Sequence, residues 1–296
     1  MLIDTHAHLN FNSYRNDDDN VIRRSLDNDT WMINIGSQYE TSKKAVEIAE
    51  KYPEGVYTAV GVHPIHLAEG IFKVKLDEEE MAFQTKNENF DYEKYKELAQ
   101  SKKVVAIGEI GLDYYWRPKT KRKLEIFKQK QRTVLCQQLK LAKELNLPVI
   151  FHCRQAHQDL IELLSAQPEV NPQKAVAHSF VGNLDQLQKY LDFGFYIGFN
   201  GIIFKKIEEI KRNDNKVVIL PHSLQSFDFE ENIRQTPLEK ILIETDCPYL
   251  TPPPMTGRNE PIYVKYVAEK ISQIKNLNPE EIAKITTENA KNLFQI

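Results

Sequence analysis

The chain has 296 residues, of which 41% are hydrophobic and 27% charged, and its formal net charge is −3. This composition is typical of a globular protein with a substantial core, and the charge excludes a generally basic protein that coats nucleic acid. A nuclease is not excluded, because metal ions can supply positive charge opposite a phosphate.

Cysteine usage and hydropathy indicate where the protein acts. The three cysteines, Cys136, Cys153 and Cys247, are widely spaced, which fits reduced thiols and no zinc finger. Polar residues appear by Asp4, so no signal peptide is expected, and no stretch approaches the roughly 18 apolar residues of a membrane span. We therefore expect a cytoplasmic protein that does not contact membranes. No sequence feature indicates an obligate protein partner.

Short apolar runs alternate with amphipathic stretches along the chain. Continuous apolar runs such as VVAI and ILI are typical of parallel strands that are buried on both faces. Eight strands are predicted, at residues 2–8, 31–36, 56–62, 104–110, 148–153, 175–180, 195–199 and 241–246. Helices are predicted at residues 39–51, 122–145, 183–192, 260–275 and 279–294.

Eight strand–helix units in 296 residues predict an α/β fold of the (β/α)8 or TIM-barrel type, as a single domain over residues 1–296. A doubly wound open sheet is the alternative. The stretches 65–91 and 200–236 are longer than usual βα loops and follow the third and seventh strands. Both would lie on the face that carries the active site of a barrel. There they are either surface loops without a role in the site or loops that form the walls of the site.

Six side chains that metals favour stand at the predicted strand ends: His6, His8, Glu109, His152, His178 and Asp246. His6 and His8 are two residues apart on one strand, so both side chains leave the same face and can meet one ion. A buried glutamate such as Glu109 needs a cation nearby, and its two oxygens could bridge two metals. Asp246 could bind metal and also orient or deprotonate water. We therefore predict Glu109 and Asp246 as the catalytic residues.

Other residues beside these strand ends are candidates for binding substrate. His63, at the end of the third strand, could ligate a metal or hold a phosphate, and we favour the phosphate. Arg154 shares a strand face with His152, where its guanidinium could bind phosphate oxygens in a forked geometry. Tyr114 and Tyr115 follow the fourth strand and either stack on bases or pack over the barrel mouth.

Seven motifs follow one another along the chain: DTHAHL at 4–9, GVHP at 61–64, GEIGLDYY at 108–115, FHCR at 151–154, HSFVG at 178–182, ETDCPYL at 244–250 and GRNEP at 257–261. As an ordered set they resemble the TatD family of metal-dependent deoxyribonucleases, within the amidohydrolase-like TIM barrels. The resemblance implies one ion on His6, His8 and Asp246, a second on His152 and His178, and Glu109 between them. It also implies substrate contacts from His63, Arg154, Arg258 and Asn259.

The predicted reaction is phosphodiester hydrolysis, in which two divalent ions activate water and Asp246 takes its proton. Mg²⁺ or Mn²⁺ fits the carboxylate ligands, whereas four histidines would also suit Zn²⁺. The family resemblance implies a 3′–5′ exodeoxyribonuclease that acts on single-stranded DNA ends. One alternative is a metal-dependent hydrolase of a carbonyl ester or amide, such as a D-aminoacyl-tRNA or a lactone. A non-catalytic nucleic-acid-binding barrel is another.

Overall fold

The computed structural model describes residues 1–67, 88–115, 117–118, 120–205 and 228–296. Within these residues one eight-stranded sheet follows the order of the chain, and each strand pairs in parallel with the next. The strands are β1 (Leu2–Ala7), β2 (Thr30–Ile35), β3 (Val56–Val60), β4 (Val104–Asp113), β5 (Val149–Arg154), β6 (Ala175–Ala177), β7 (Tyr196–Phe199) and β8 (Ile241–Ile243).

A bridge between Ala7 and Cys247 brings the first and last strands together, so the sheet curls into a nearly closed barrel. The predicted TIM barrel is confirmed, and the open-sheet alternative is wrong. The described helices lie between or after the strands: α1 (Asp18–Leu26), α2 (Tyr39–Ala49), α3 (Tyr92–Leu98), α4 (Lys121–Leu145), α5 (His157–Ala166), α6 (Leu184–Asp192), α7 (Phe229–Gln235), α8 (Val264–Lys275) and α9 (Pro279–Phe294).

An apolar layer supports the polar end of the barrel. Ile150, Val176 and Leu242 are buried in one cluster with Leu293 of α9. Ile150 and Val176 each precede a predicted histidine ligand by two residues, so that ligand points the same way as its apolar neighbour. The barrel is therefore apolar where α9 packs and polar toward the carboxyl ends of its strands.

Strand β4 is longer than the predicted 104–110, because it continues to Asp113 alongside β5. The register pairs Gly111 with His152 and Asp113 with Arg154. Gly111 has φ +152°, and a Cβ at this position would lie 1.8 Å from the backbone oxygen of His152. Glycine is therefore required where the two strands approach each other, and the extension carries Asp113 to the polar end of the barrel.

The two long predicted loops follow β3 and β7. Residues 68–87 and 206–227 lie outside the described residues, so the contribution of loops 65–91 and 200–236 to the walls of the site stays a prediction. All three cysteines have free thiols. In the part of the chain that is described, no helix combines the length and apolar character needed to cross a membrane.

Candidate metal centre

The first group of predicted ligands lies where β1 meets the segment after β8. The Nε2 atoms of His6 and His8 are 3.2 Å apart. Oε2 of Glu109 lies 3.4 Å from Nε2 of His6 and 4.0 Å from Nε2 of His8. Oδ1 of Asp246 lies 3.4 Å from Nε2 of His8. Two imidazoles and two carboxylates therefore face one point.

The other oxygen of Glu109 faces a second group of histidines. Oε1 of Glu109 lies 2.6 Å from Nδ1 of His152, 3.5 Å from Nε2 of His63 and 3.8 Å from Nε2 of His178. Nε2 of His178 also lies 3.8 Å from Oδ1 of Asp246. The two oxygens of a single buried carboxylate thus point to two different sets of ring nitrogens.

These spacings fit divalent metal ions. With metal–ligand bonds of about 2.0–2.2 Å, two ligands of one tetrahedral or octahedral ion lie roughly 3–3.5 Å apart. Most of the distances above are in or near that range and are too long for strong hydrogen bonds. Among the described residues, three sets of side chains have donor atoms that lie within 4.8 Å of one another inside each set: His6–His8–Glu109, His6–His178–Asp246 and His63–Asp113–His152. The donor chemistry, imidazole and carboxylate, suits Mn²⁺ and Zn²⁺.

In the absence of metal, protons balance the buried carboxylates. Burial alone would lower the pKa of His152, but Glu109 and Asp113 raise it to about 9. Burial would likewise lower the pKa of His178, but Glu244 and Asp246 raise it to about 10. Burial would raise the pKa of Glu109, yet the surrounding histidines hold it well below its usual range. The metal-free centre therefore carries an ionised Glu109 beside protonated His152 and His178.

We therefore expect metal binding to displace protons. At pH 7 about one to two protons per chain should be released as Mn²⁺ replaces them on His152 and His178. The apparent affinity for Mn²⁺ should rise with pH up to the range of about 9 to 10. Calorimetric titration in two buffers of different ionisation enthalpy measures this release. Equal heats in both buffers would contradict the expectation.

The same pKa values bear on the metal-free fold. Both lie above the ordinary histidine value of 6.5, so the two histidines stabilise the metal-free protein fully below pH 6.5. That stabilisation should be lost as the pH rises through about 9 and 10.

Carboxylates lie beside the ring nitrogens of His152 and His178 that face away from Glu109. Asp113 lies 3.1 Å from Nε2 of His152, and Glu244 lies 2.9 Å from Nδ1 of His178. Such partners fix the orientation of a metal-binding imidazole. Asp113 is not among the predicted site residues, although it shares the strand face of Glu109 once β4 is extended. That same-face spacing is the signal that could have revealed it.

The segment after β8 is tied to β1 beside the first group of ligands. Asp246 has φ +59° in the left-handed region, and its backbone N–H donates to the carbonyl of His6 at 2.8 Å. Asp4 accepts hydrogen bonds from the backbone and hydroxyl of Thr245 at 2.8 and 2.6 Å. Nδ1 of His8 lies 3.0 Å from the carbonyl of Ile35. The backbone itself thus sets the positions of His6 and Asp246.

His63 and Arg154 lie on the same side of the centre as His152. Nδ1 of His63 accepts a hydrogen bond from Ile65 N at 3.0 Å, so a neutral ring carries its proton on Nε2, which faces the site. Burial and the nearby His152 hold the pKa of His63 well below 6.5, which keeps the ring neutral. The guanidinium of Arg154 stacks on Tyr115, 3.7 Å from the ring centroid. The roles of these residues stay predictions.

Three other predicted substrate contacts are occupied within the protein. Tyr114 is 3% exposed and its hydroxyl donates to Asp159, so its packing corrects the prediction of base stacking. Asn259 is fully buried, and its amide donates to the carbonyls of Thr245 and Tyr249, so its predicted substrate contact is also corrected. The Arg258 guanidinium pairs with Asp17 in a forked geometry. Its predicted contact with substrate would have to compete with this pair.

Known proteins are similar to this chain over its whole length, as the ordered motifs indicate. The family model for TatD related DNase matches residues 3–295. The chain is 37% identical to the uncharacterized metal-dependent hydrolase YabD of Bacillus subtilis, covering 100% of both. It is 29% identical to the 3'-5' ssDNA/RNA exonuclease TatD of Salmonella typhimurium, covering 100% of this chain and 99% of the relative. The crystal structure of the TatD homolog YJJV from Escherichia coli is 26% identical and superposes with TM-score 0.77, covering 100% of this chain and 98% of that chain.

Proposed function

The chain belongs to the family of TatD related DNases, which includes metal-dependent hydrolases, and from this premise we propose that it is a 3′–5′ exodeoxyribonuclease. Its substrate would be the 3′ end of single-stranded DNA. A relative that matches the whole chain is named as an exonuclease of single-stranded DNA and RNA, and this supports a nucleic acid as the substrate.

The observation that carries the proposal is the position of Glu109. Its two oxygens face separate sets of histidine nitrogens at 2.6 to 4.0 Å, which is the arrangement that a carboxylate shared by two ions needs. One ion would be held by His6, His8 and Asp246, and the other by His152 and His178. Both ions are proposed to be Mg²⁺ or Mn²⁺, with Zn²⁺ as the alternative. Such ions, when bound, neutralise phosphate charge and acidify water.

Asp246 is the proposed proton acceptor. Its side chain is 18% exposed, against 6% for Glu109, so it is the more accessible of the two carboxylates. Burial would raise the pKa of Asp246, but the hydrogen bond from His8 and the charge of His178 lower it, so it is ionised at neutral pH. Asp246 would take a proton from water as the water oxygen bonds to phosphorus. The P–O3′ bond breaks as the new P–O bond forms, which releases a nucleoside 5′-monophosphate. The departing 3′-oxygen takes a proton from solvent and becomes the 3′-hydroxyl of the shortened strand, and Asp246 returns its proton to solvent.

Arg154, Tyr115 and His63 are the proposed contacts of the DNA strand. Arg154 and Tyr115 form one stacked unit beside the His152 side of the centre, where the guanidinium can bind phosphate oxygens. Tyr115 is partly exposed beside the same side of the centre, where its ring would also contact a base of the strand. The protonated Nε2 of His63 can donate to a phosphate oxygen. These contacts favour a phosphodiester over a small carbonyl substrate.

The test is cleavage of a 5′-labelled single-stranded DNA by the protein loaded with Mn²⁺ or Mg²⁺. Stepwise shortening from the 3′ end is expected, and EDTA should prevent it. A strand whose last linkage is a phosphorothioate should resist, and circular single-stranded DNA should stay intact. Cleavage of the circle would contradict exonuclease action. No cleavage of any strand by folded, metal-loaded protein would overturn the nuclease assignment, and aminoacyl esters and lactones would then be tested.

A further inference from the structure

Two glutamines lie on the buried, otherwise apolar face of α4. Gln131 and Gln138 are 0% and 1% exposed, and they share this face with residues such as Val134 and Leu135. They are seven residues apart, so both point to the same side, about 10 Å from each other along the helix axis. A buried amide is costly unless its polar groups are hydrogen-bonded. The partners of these amides therefore indicate what they hold.

Each glutamine pairs with both polar groups of one backbone residue. Asp113 N donates to Oε1 of Gln131 at 2.9 Å, and Nε2 of Gln131 donates back to the Asp113 carbonyl at 3.0 Å. Val62 N donates to Oε1 of Gln138 at 2.7 Å, and Nε2 of Gln138 donates to the Val62 carbonyl at 3.1 Å. Each side-chain amide thus makes the two backbone hydrogen bonds that a residue of a neighbouring strand would otherwise make.

The barrel needs these substitutes because β3 and β4 part before β4 ends. Their last paired residues are Val60 and Ile107, whereas β4 runs on to Asp113 beside β5. Val62 and Asp113 therefore lie beyond the ladder that joins β3 to β4. Buried backbone groups without partners would be strongly unfavourable there. The two α4 amides satisfy them and fix where the two strand ends lie.

Both fixed residues lead to the same side of the metal centre. The carboxylate of Asp113 holds Nε2 of His152 at 3.1 Å, and Val62 directly precedes His63. The rings of His63 and His152 are adjacent, with centroids 4.1 Å apart. The opposite side of the centre is fixed by β1, β2 and the segment after β8, as described above.

We infer that Gln131 and Gln138 are positioning residues that hold the His152 side of the centre through the backbone of β3 and β4. This inference rests on the proposed two-ion centre and adds to it two residues that contact neither metal nor substrate. Its specific consequence is asymmetry: loss of either amide weakens one side of the centre and spares the other.

The test uses Gln131→Met and Gln138→Met, which remove the hydrogen bonds with little change in length. Gln137→Met is the matched control, because Gln137 is exposed on the same helix. Mn²⁺ binding to metal-free protein is measured in two backgrounds. His8→Gln impairs the His6 and His8 side of the centre and keeps the His152 side intact. His152→Gln does the reverse. Each test variant should weaken binding by about tenfold or more in the first background and by less than about twofold in the second.

Hydrogen exchange adds a readout that needs no metal. The amides of Val62 and Asp113 should exchange faster in Gln138→Met and Gln131→Met respectively, and at the wild-type rate in Gln137→Met. Should Gln131→Met fail to fold, Gln138→Met carries the test by itself, and its loss of Mn²⁺ affinity should again be confined to the background that keeps the His152 side.

The outcomes separate this inference from the proposed function. Equal weakening in both backgrounds, or unchanged exchange at Val62 and Asp113, would overturn the positioning role. A wild-type protein that binds Mn²⁺ but leaves DNA intact would overturn the nuclease proposal alone. A wild-type protein that binds no Mn²⁺ would overturn both.

Discussion

Replacement of Glu109 by glutamine should reduce kcat/KM by at least about a thousandfold while the barrel stays folded. The amide keeps one oxygen but turns an NH2 group toward the histidine nitrogens, so it cannot serve two ions. The bound Mn²⁺ should fall from two ions to at most one per chain. Activity and Mn²⁺ stoichiometry, measured on the same preparation, check the two parts of this expectation.

The fold should survive because the apolar layer beneath Glu109 does not depend on its charge. Glu47→Gln is the matched control, because it makes the same chemical change on the surface of α2, where the Glu47 side chain is 60% exposed. The control should keep full activity and both ions. An active Glu109→Gln variant that still binds two ions would remove the bridging role.

Replacement of Asp246 by asparagine should lower kcat by about a thousandfold or more, because it would remove the proposed proton acceptor and weaken a proposed metal ligand together. Asparagine is the suitable probe, since it tolerates the left-handed backbone at φ +59° that Asp246 adopts. Alanine there would add backbone strain to the loss of the carboxylate. Single-turnover cleavage of 5′-labelled DNA at saturating Mn²⁺ separates the lost proton transfer from weaker metal binding.

The chain supplies a close control for this variant. Asp29 also has a left-handed backbone, at φ +57°, but it precedes β2 at the opposite end of the barrel and its side chain is 80% exposed. Asp29→Asn therefore repeats the substitution and the backbone conformation without touching the metal centre. It should be fully active. Substantial activity of Asp246→Asn under the same conditions would mean that another group accepts the proton.

Much of the fold could be predicted because parallel strands in a barrel are buried on both faces and appear as continuous apolar runs. The strand predicted at 2–8 is observed at Leu2–Ala7, and the one at 195–199 at Tyr196–Phe199. Strand ends were harder to predict. β8 ends at Ile243 rather than at 246, because the chain turns into the left-handed conformation of Asp246 to reach β1.

The convergence of the six ligand-type residues could be predicted because the strand ends of a barrel meet on one face. Contacts that depend on the register between strands could not be predicted in this way. Asp113 lies in the centre only because β4 continues alongside β5. The inferred role of Gln131 depends on backbone groups that β3 and β4 leave unpaired, and no periodicity of the sequence reveals them. Tyr114 and Asn259 belong to two of the motifs, yet their side chains turn into the protein.

The join between β1 and β8 gives bound ions a further effect. His6 and His8 come from one side of this join and Asp246 from the other, while the strands themselves share only a bridge at Ala7 and a few hydrogen bonds. An ion held as proposed, by ligands from both sides of the join, would favour the closed barrel by mass action, by about 2.7 kcal/mol when its concentration is a hundred times its Kd. Such an ion would fasten the barrel as well as serve the reaction, and its removal by a chelator should make this join the first part of the barrel that proteases reach.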